Sequence, residues 1–448
     1  MKLPHMIDIK KIFSIFIIST IVTFAQSVEN SSSVVDSLFK VNAIHISGNE
    51  KTKEFVILRE LSFSIGDSVN SEILFYNRDR IFSLGLFTNI DISVEHDGEI
   101  NTVLIAVEES WYIFPVPFIN IREKTLERTS YGISLKYRNF RGRNETIGAT
   151  ISFGYDPFYS LQYENPLLIT SADISFYFAG AYGTPVNKSP TLEEVYEDVF
   201  DFKTVSLNTS WGKRFNKENN IFFFLGYSNI KAPSESINSF MASGTSSDES
   251  ISTGFAYIYD SRNLSQFASS GIFFGIDYLY YGLGKQDISH SAINFDLNKY
   301  NTIYKSVLIK GRINVRHTFG KFVPNYNYSM LGYEYYTRGN RYLIREGNNR
   351  LLGSVELSYP ILSEWSFAVD LPILPESLTR ARIAIHLNVF ADAGTVFNNN
   401  EKILLEDFNS GYGVGLTLLF LPYSAFRFEY AFNELGKGEF LLESGISF

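Results

Sequence analysis

The chain has 448 residues, of which 16% are aromatic and only 19% charged, with a net charge of −9 and no cysteine. An acidic balance lacks the clustered cations that phosphate-backbone binding requires, so nucleic acid is excluded as a partner. Without cysteine there is no disulfide scaffold, thiolate metal site, cysteine nucleophile or N-terminal lipid anchor through that residue.

Lys2, Lys10 and Lys11 precede an apolar stretch over 12–25, and Thr23 and Ala25 supply small residues ahead of Gln26. This pattern predicts a signal peptide over 1–25, because a helical membrane span needs about 20 apolar residues. A polar linker follows at 26–40. No later segment is long and apolar enough to read as a spanning helix, so any membrane crossing must be made by strands.

Residues 41–112 form a separate pattern. Ile44 and Ile46 mark a strand and Gly48-Asn49 a turn, then Thr52 is placed to cap a helix carrying Phe55, Ile57, Leu58 and Leu61. Ser71 is placed to cap a second helix that ends at Gly85. Alternation then predicts two strands, one through Ile90, Ile92 and Val94, the other through Val103, Ile105 and Val107. The result is a small β-α-α-β-β module that either accepts an extended peptide at its sheet edges by strand addition or serves as a rigid spacer.

From 113 to 448 the chain alternates on a period of two. Ile383, Ile385, Leu387 and Val389 lie on one face, and Arg382, His386, Asn388 and Asp392 on the other. Phe426, Phe428 and Tyr430 likewise oppose Arg427 and Glu429. A lipid-facing apolar side and a wet lumenal side account for this pattern in a transmembrane barrel, and about 20 residues per strand and connection gives roughly 16 strands. The first is expected near residues 131–138 and the last over 440–448, with long outer loops near 187–201 and 234–250. Tyr278-Leu279-Tyr280-Tyr281 and Tyr333-Glu334-Tyr335-Tyr336 are expected as interfacial girdles at strand ends.

The module, through Ile46-Ser47-Gly48-Asn49, Arg59-Glu60-Leu61, Gly66-Asp67 and Leu84-Gly85-Leu86-Phe87, resembles a POTRA domain. The remainder resembles the barrel of the BamA/TamA superfamily of outer-membrane assembly and translocation proteins. The residues that carry this are Asp260-Ser261-Arg262-Asn263, Arg338-Gly339, Glu356-Leu357-Ser358-Tyr359-Pro360, Phe390-Ala391-Asp392-Ala393-Gly394 and the terminal Gly445-Ile446-Ser447-Phe448. The resemblance implies that Arg338, on a long outer loop next to Gly339, folds into the lumen and pairs with Asp392 of the Phe390-to-Gly394 strand motif. Alternation puts Glu356 in the lumen too, as a second acceptor. The family pattern has an aliphatic residue before the arginine and an aromatic after the glycine, where this chain has Thr337 and Asn340. Asp260 and Arg262 are read as a local turn pair, and Gly445, Ile446 and Phe448 as a C-terminal insertion signal on the last strand.

Enzyme chemistry is not expected. The six histidines show no metal-ligand spacing, and there is no Gly-x-Ser-x-Gly elbow or Walker A sequence. No cofactor is expected. The resemblance implies an outer-membrane insertion factor with its module in the periplasm, acting through a lateral seam on unfolded barrel clients. The resemblance further implies the lipid bilayer and periplasmic chaperones or accessory lipoproteins as partners. A two-partner-type secretion pore and a passive porin or surface-binding barrel stay open as alternatives. The sequence names no client.

Overall fold

The computed structural model describes residues 38–121, 125–196, 200–233, 238, 240–285, 287–304, 306–368 and 379–448. The signal peptide and most of the linker read from the sequence lie outside the described residues.

The module is a three-stranded sheet of β1 (Ala43–Ser47), β2 (Phe87–Asp97) and β3 (Ile100–Glu109), with β3 central, parallel to β1 and antiparallel to β2. Val103, Ile105 and Val107 of β3 are buried together with Val56 and Ile57 of helix α1 (Glu54–Leu58) and Ile81 and Phe82 of helix α2 (Ser71–Phe82). Apart from a two-residue strand, Ser68–Val69, between the helices, the element order is the one that the periodicity gives, but both caps differ. Asn70 caps α2, its Oδ1 accepting from the Ile73 N–H at 3.0 Å, because one position earlier the backbone is extended and Ser71 is already helical. Thr52 caps nothing: its Oγ1 donates to Glu109 Oε1 at 2.6 Å.

Sixteen antiparallel strands follow in one sheet, ordered by sequence. They are β4 (Ile113–Ile121), β5 (Thr129–Phe140), β6 (Glu145–Gly154), β7 (Phe158–Ile169), β8 (Ile174–Gly183), β9 (Lys203–Arg214), β10 (Asn219–Lys231) and β11 (Ser247–Asp260). The second half comprises β12 (Gly271–Tyr281), β13 (His290–Tyr304), β14 (Val307–Gly320), β15 (Asn349–Ala368), β16 (Arg380–Phe397), β17 (Asn409–Leu421), β18 (Ser424–Asn433) and β19 (Gly438–Ser444). The register carries one row of outward side chains, Leu357, Val389, Val414, Tyr430 and Phe440, across five consecutive strands, and all are exposed. One residue along, Glu356 and Phe390 are buried on the other face. So wide an exposed apolar band is what a lipid-facing surface requires.

Three expectations are corrected. The first barrel strand is β4, ahead of the segment expected from alternation: Pro115 and Pro117 interrupt the strand signal, and an edge tolerates the donors they lack. The last strand stops at Ser444, because Gly445 has φ +98 and turns the chain out of the ladder, leaving Ile446 and Phe448 beyond it. Tyr333 to Tyr336 are no girdle. They belong to the 321–348 connection, whose Tyr335 ring lies 3.5 Å from the Arg350 guanidinium of β15.

Candidate functional site

The 321–348 connection carries a short hairpin, Ser329–Leu331 paired with Arg345–Gly347, and its tip reaches inward to the barrel wall. Leu331 of the hairpin packs with Leu352 and Val396 in a small buried cluster, and Gly394 lies against Leu331 and Leu352. At the tip, Arg338 Nε and Nη2 donate to the two oxygens of Asp392 at 2.7 Å each. Its backbone N–H donates to Asp392 Oδ2 at 3.0 Å. Nη1 is shared between Glu356 Oε2 at 3.0 Å and Glu429 Oε1 at 3.1 Å. The guanidinium lies 3.6 Å from the centre of the Phe390 ring. Gly339 holds φ +91, and a Cβ there would come within 2.8 Å of the Phe432 backbone on β18.

Charges balance within the cluster. Lys310 Nζ of β14 donates to Glu356 at 2.9 Å and Arg427 Nη1 of β18 to Glu429 at 3.1 Å, so three cations meet three carboxylates, all nearly inaccessible. Such groups must be mutually paired to be tolerated away from water. The structure therefore brings together Arg338, Gly339, Glu356, Phe390 and Asp392, and adds Lys310, Arg427 and Glu429, which sequence reading left as ordinary lumen-facing residues. Asn340 Nδ2, in the place of the family's aromatic, donates to Ser410 O at 3.0 Å and Glu434 Oε2 at 2.9 Å and so ties the loop to the distal rim.

At the opposite end of the barrel, the module docks on the strand connections. Arg214 at the end of β9 donates to both oxygens of Glu60 at 2.7 and 3.1 Å, and Arg80 of α2 to the same carboxylate at 3.2 Å. Burial pushes the Glu60 carboxyl up, but hydrogen bonding and charge from Arg214, with Arg80 and Arg59, outweigh it and hold the group below its usual range. Lys217, in the next turn, is pushed down to about 8 by burial. Among the described residues its Nζ has no hydrogen-bond partner. Asp260 and Arg262 pair at 2.8 Å, as a local turn bond, in the β11–β12 connection. That connection meets the end of α2: the Ser265 N–H donates to Ser83 Oγ at 3.0 Å and Gln266 Nε2 to Phe82 O at 3.0 Å. It also places the Phe267 ring 4.3 Å from Lys310 Nζ, so contacts run unbroken from the module to the Arg338 cluster.

The seam is the third feature. Among the described residues no hydrogen-bond ladder joins β4 to β19, and the sheet order ends at these two strands. Near its module end the gap is bridged by rings, Phe114 and Tyr423 lying edge to face at 5.9 Å. Residues 139–448 match the Omp85 superfamily domain. The chain belongs to the Omp85 superfamily. Residues 39–110 match POTRA, described as a surface antigen variable number repeat. No curated protein matches the chain.

Among solved structures this Omp85 chain is similar to BamA from Haemophilus ducreyi lacking POTRA domains 1–3. The TM-score is 0.53 with 17% identity, over 91% of this chain and 84% of that one. It is also similar to CdiB from Acinetobacter baumannii, with TM-score 0.50 and 13% identity over 91% of this chain and 73% of that one. At these identities the likeness concerns the fold. The family is one of outer-membrane transport and assembly barrels with periplasmic POTRA domains.

Proposed function

We propose that this chain assists the folding and insertion of other outer-membrane proteins, receiving unfolded clients or their periplasmic chaperones at its POTRA module and templating strands at its seam. The observation that carries this reading is the pair of edges on β4 and β19, which no ladder joins among the described residues. An unpaired edge in lipid is costly, because each exposed backbone group lacks water, and an extended client strand relieves that cost by β-augmentation. β19 has 7 residues and β4 has 9, against 20 in β15, so the wall is short at the seam. A short wall thins the adjacent bilayer and lowers the barrier to insertion. On this reading the Arg338 cluster fixes the long loop against the second half of the barrel and leaves the first strands free to move away from it.

The test is reconstitution of the full chain in liposomes with urea-denatured barrel substrates, folding being followed by gel mobility. Acceleration over empty liposomes is expected. Equal rates would remove the insertion reading, and export of a presented polypeptide or passive solute flux in the same vesicles would then assign the chain to a secretion pore or a porin.

A further inference from the structure

The backbone parity of β4 decides which of its groups face the seam. The Arg138 N–H donates to Tyr112 O, and in the register of β4 on β5 this makes Phe114, Val116, Phe118 and Asn120 the residues bonded to β5. An independent bond agrees: the Tyr155 N–H donates to Thr129 O, which turns the odd residues of β5 toward β6 and leaves the even ones for β4. Ile113, Pro115, Pro117, Ile119 and Ile121 therefore point their backbone groups at the seam. The carbonyls of Pro115, Pro117, Ile119 and Ile121 can accept there, that of Ile113 already accepting from Trp111 Nε1, but the two prolines have no N–H to give.

On the facing strand the pattern is complete. The Gly445 N–H donates to Ala425 O, so in the register of β19 on β18 the even residues Gly438, Phe440, Leu442 and Ser444 face the seam, each with donor and acceptor. Wherever Pro115 or Pro117 opposes a residue across that gap, the opposing carbonyl is left in an apolar, water-poor place without a donor. The proline rings share a face with exposed Ile113, Ile119 and Ile121, so they do not disturb the lipid-facing surface.

We infer that Pro115 and Pro117 make the open edge of β4 a one-sided template: it accepts hydrogen bonds from an incoming extended apolar strand and returns too few to hold it. The same deficit keeps β19 from zipping onto β4. This deepens the proposed function and rests on it, since the strand accepted is a client's. The prolines act as positioning residues that make capture reversible.

The experiment uses the full chain in phospholipid nanodiscs and the double variant Pro115→Val, Pro117→Val, valine being apolar and suited to a strand. Without any client, hydrogen exchange of the Ile119 and Ile121 amides and of the amides in residues 438–444 should slow at least tenfold as the seam zips. With a labelled synthetic peptide of residues 438–448 as probe, dissociation should slow at least fivefold in the variant. If the double variant does not fold, either single variant should give a smaller change in the same directions. Unchanged exchange, or unchanged peptide dissociation, overturns the inference. The exchange measurement reads the prolines even if the wild-type chain proves unable to accelerate client folding, so the two failures are told apart.

Discussion

Arg338 and Asp392 meet through two parallel N–H···O bonds of 2.7 Å, and the Arg338 backbone N–H returns to the same carboxylate. Side chain and main chain of one loop residue are thus both held by one strand residue. Arg338→Ala leaves Glu356, Asp392 and Glu429 facing only Lys310 and Arg427, with one negative charge uncompensated. Removing one partner of a buried ion pair costs about 3–5 kcal/mol. The expected outcome is a loss of that order in the unfolding free energy, read as a lower guanidinium midpoint, and a lower temperature at which the unboiled gel band disappears. Arg338→Lys keeps the charge without the fork and should fall between the two. An unaltered Arg338→Ala barrel would mean that the arginine is solvated.

Gly339→Ala separates loop docking from electrostatics. The substitution changes no charge, yet it needs a left-handed alanine whose Cβ lies 2.8 Å from the β18 backbone. A strained position of this kind costs about 1–3 kcal/mol. The loop should retreat, and limited proteolysis within 321–348 should speed up while Asp392 and Glu356 are still in place. Equal cleavage rates in variant and wild type would show that the tip tolerates displacement.

The strand count follows from the length of the barrel segment at about 20 residues per strand and connection, and the inward face of Asp392 and Glu356 from alternation, because lipid and lumen impose opposite chemistry on neighbouring positions. Glu429 is less legible. It is an inward residue on a strand two away from Asp392, and what lets it reach Arg338 is the intervening strand, where Gly411, Gly413 and Gly415 occupy the inward positions and project no side chain. That run of alternating glycines is a signal of a loop lying close overhead: a Cβ on Gly411 would fall 1.5 Å from the Arg338 carbonyl oxygen. The docking of Glu60 on Arg214 has no comparable signal, since the two are 154 positions apart and neither stands in a periodic pattern. β4 is hidden for a local reason, its two prolines.

Docking of the module should depend on pH in one direction. Arg214 helps hold Glu60 below its ordinary value of 4.5 when docked, so the contribution of that pairing is present above 4.5 and is lost as pH falls through the lower docked value. Lys217 is lowered from 10.5 to about 8, so docking disfavours its charged form: the penalty is complete below about 8 and vanishes above 10.5. Both groups make docking tighter as pH rises. Fluorescence transfer between a dye on the module and one on the barrel should strengthen from pH 8 to 10.5 and fall below pH 4.5. Lys217→Met should abolish only the alkaline part. A wild-type signal flat across both windows would contradict the sign.

Glu443 links the long loop to the seam itself. It lies on β19, where Tyr336 donates its hydroxyl to Oε1 at 3.1 Å and Arg341 forms an ion pair with the same carboxylate. The pair is partly exposed, at 28% and 18% for the two side chains, so its strength is modest and sensitive to salt. On the proposed function that weakness suits a contact that breaks when the seam opens. Glu443→Gln keeps the shape and removes the charge. Hydrogen exchange in residues 438–444 should then quicken several-fold, while the Arg338 cluster, held by Asp392, Glu356 and Glu429, keeps the barrel's unfolding free energy within about 1 kcal/mol of wild type. Exchanging the charges, with Arg341→Glu and Glu443→Arg together, should restore slow exchange where either change alone does not. If the double exchange behaves as the sum of the single variants, the loop and the last strand are not coupled through this pair.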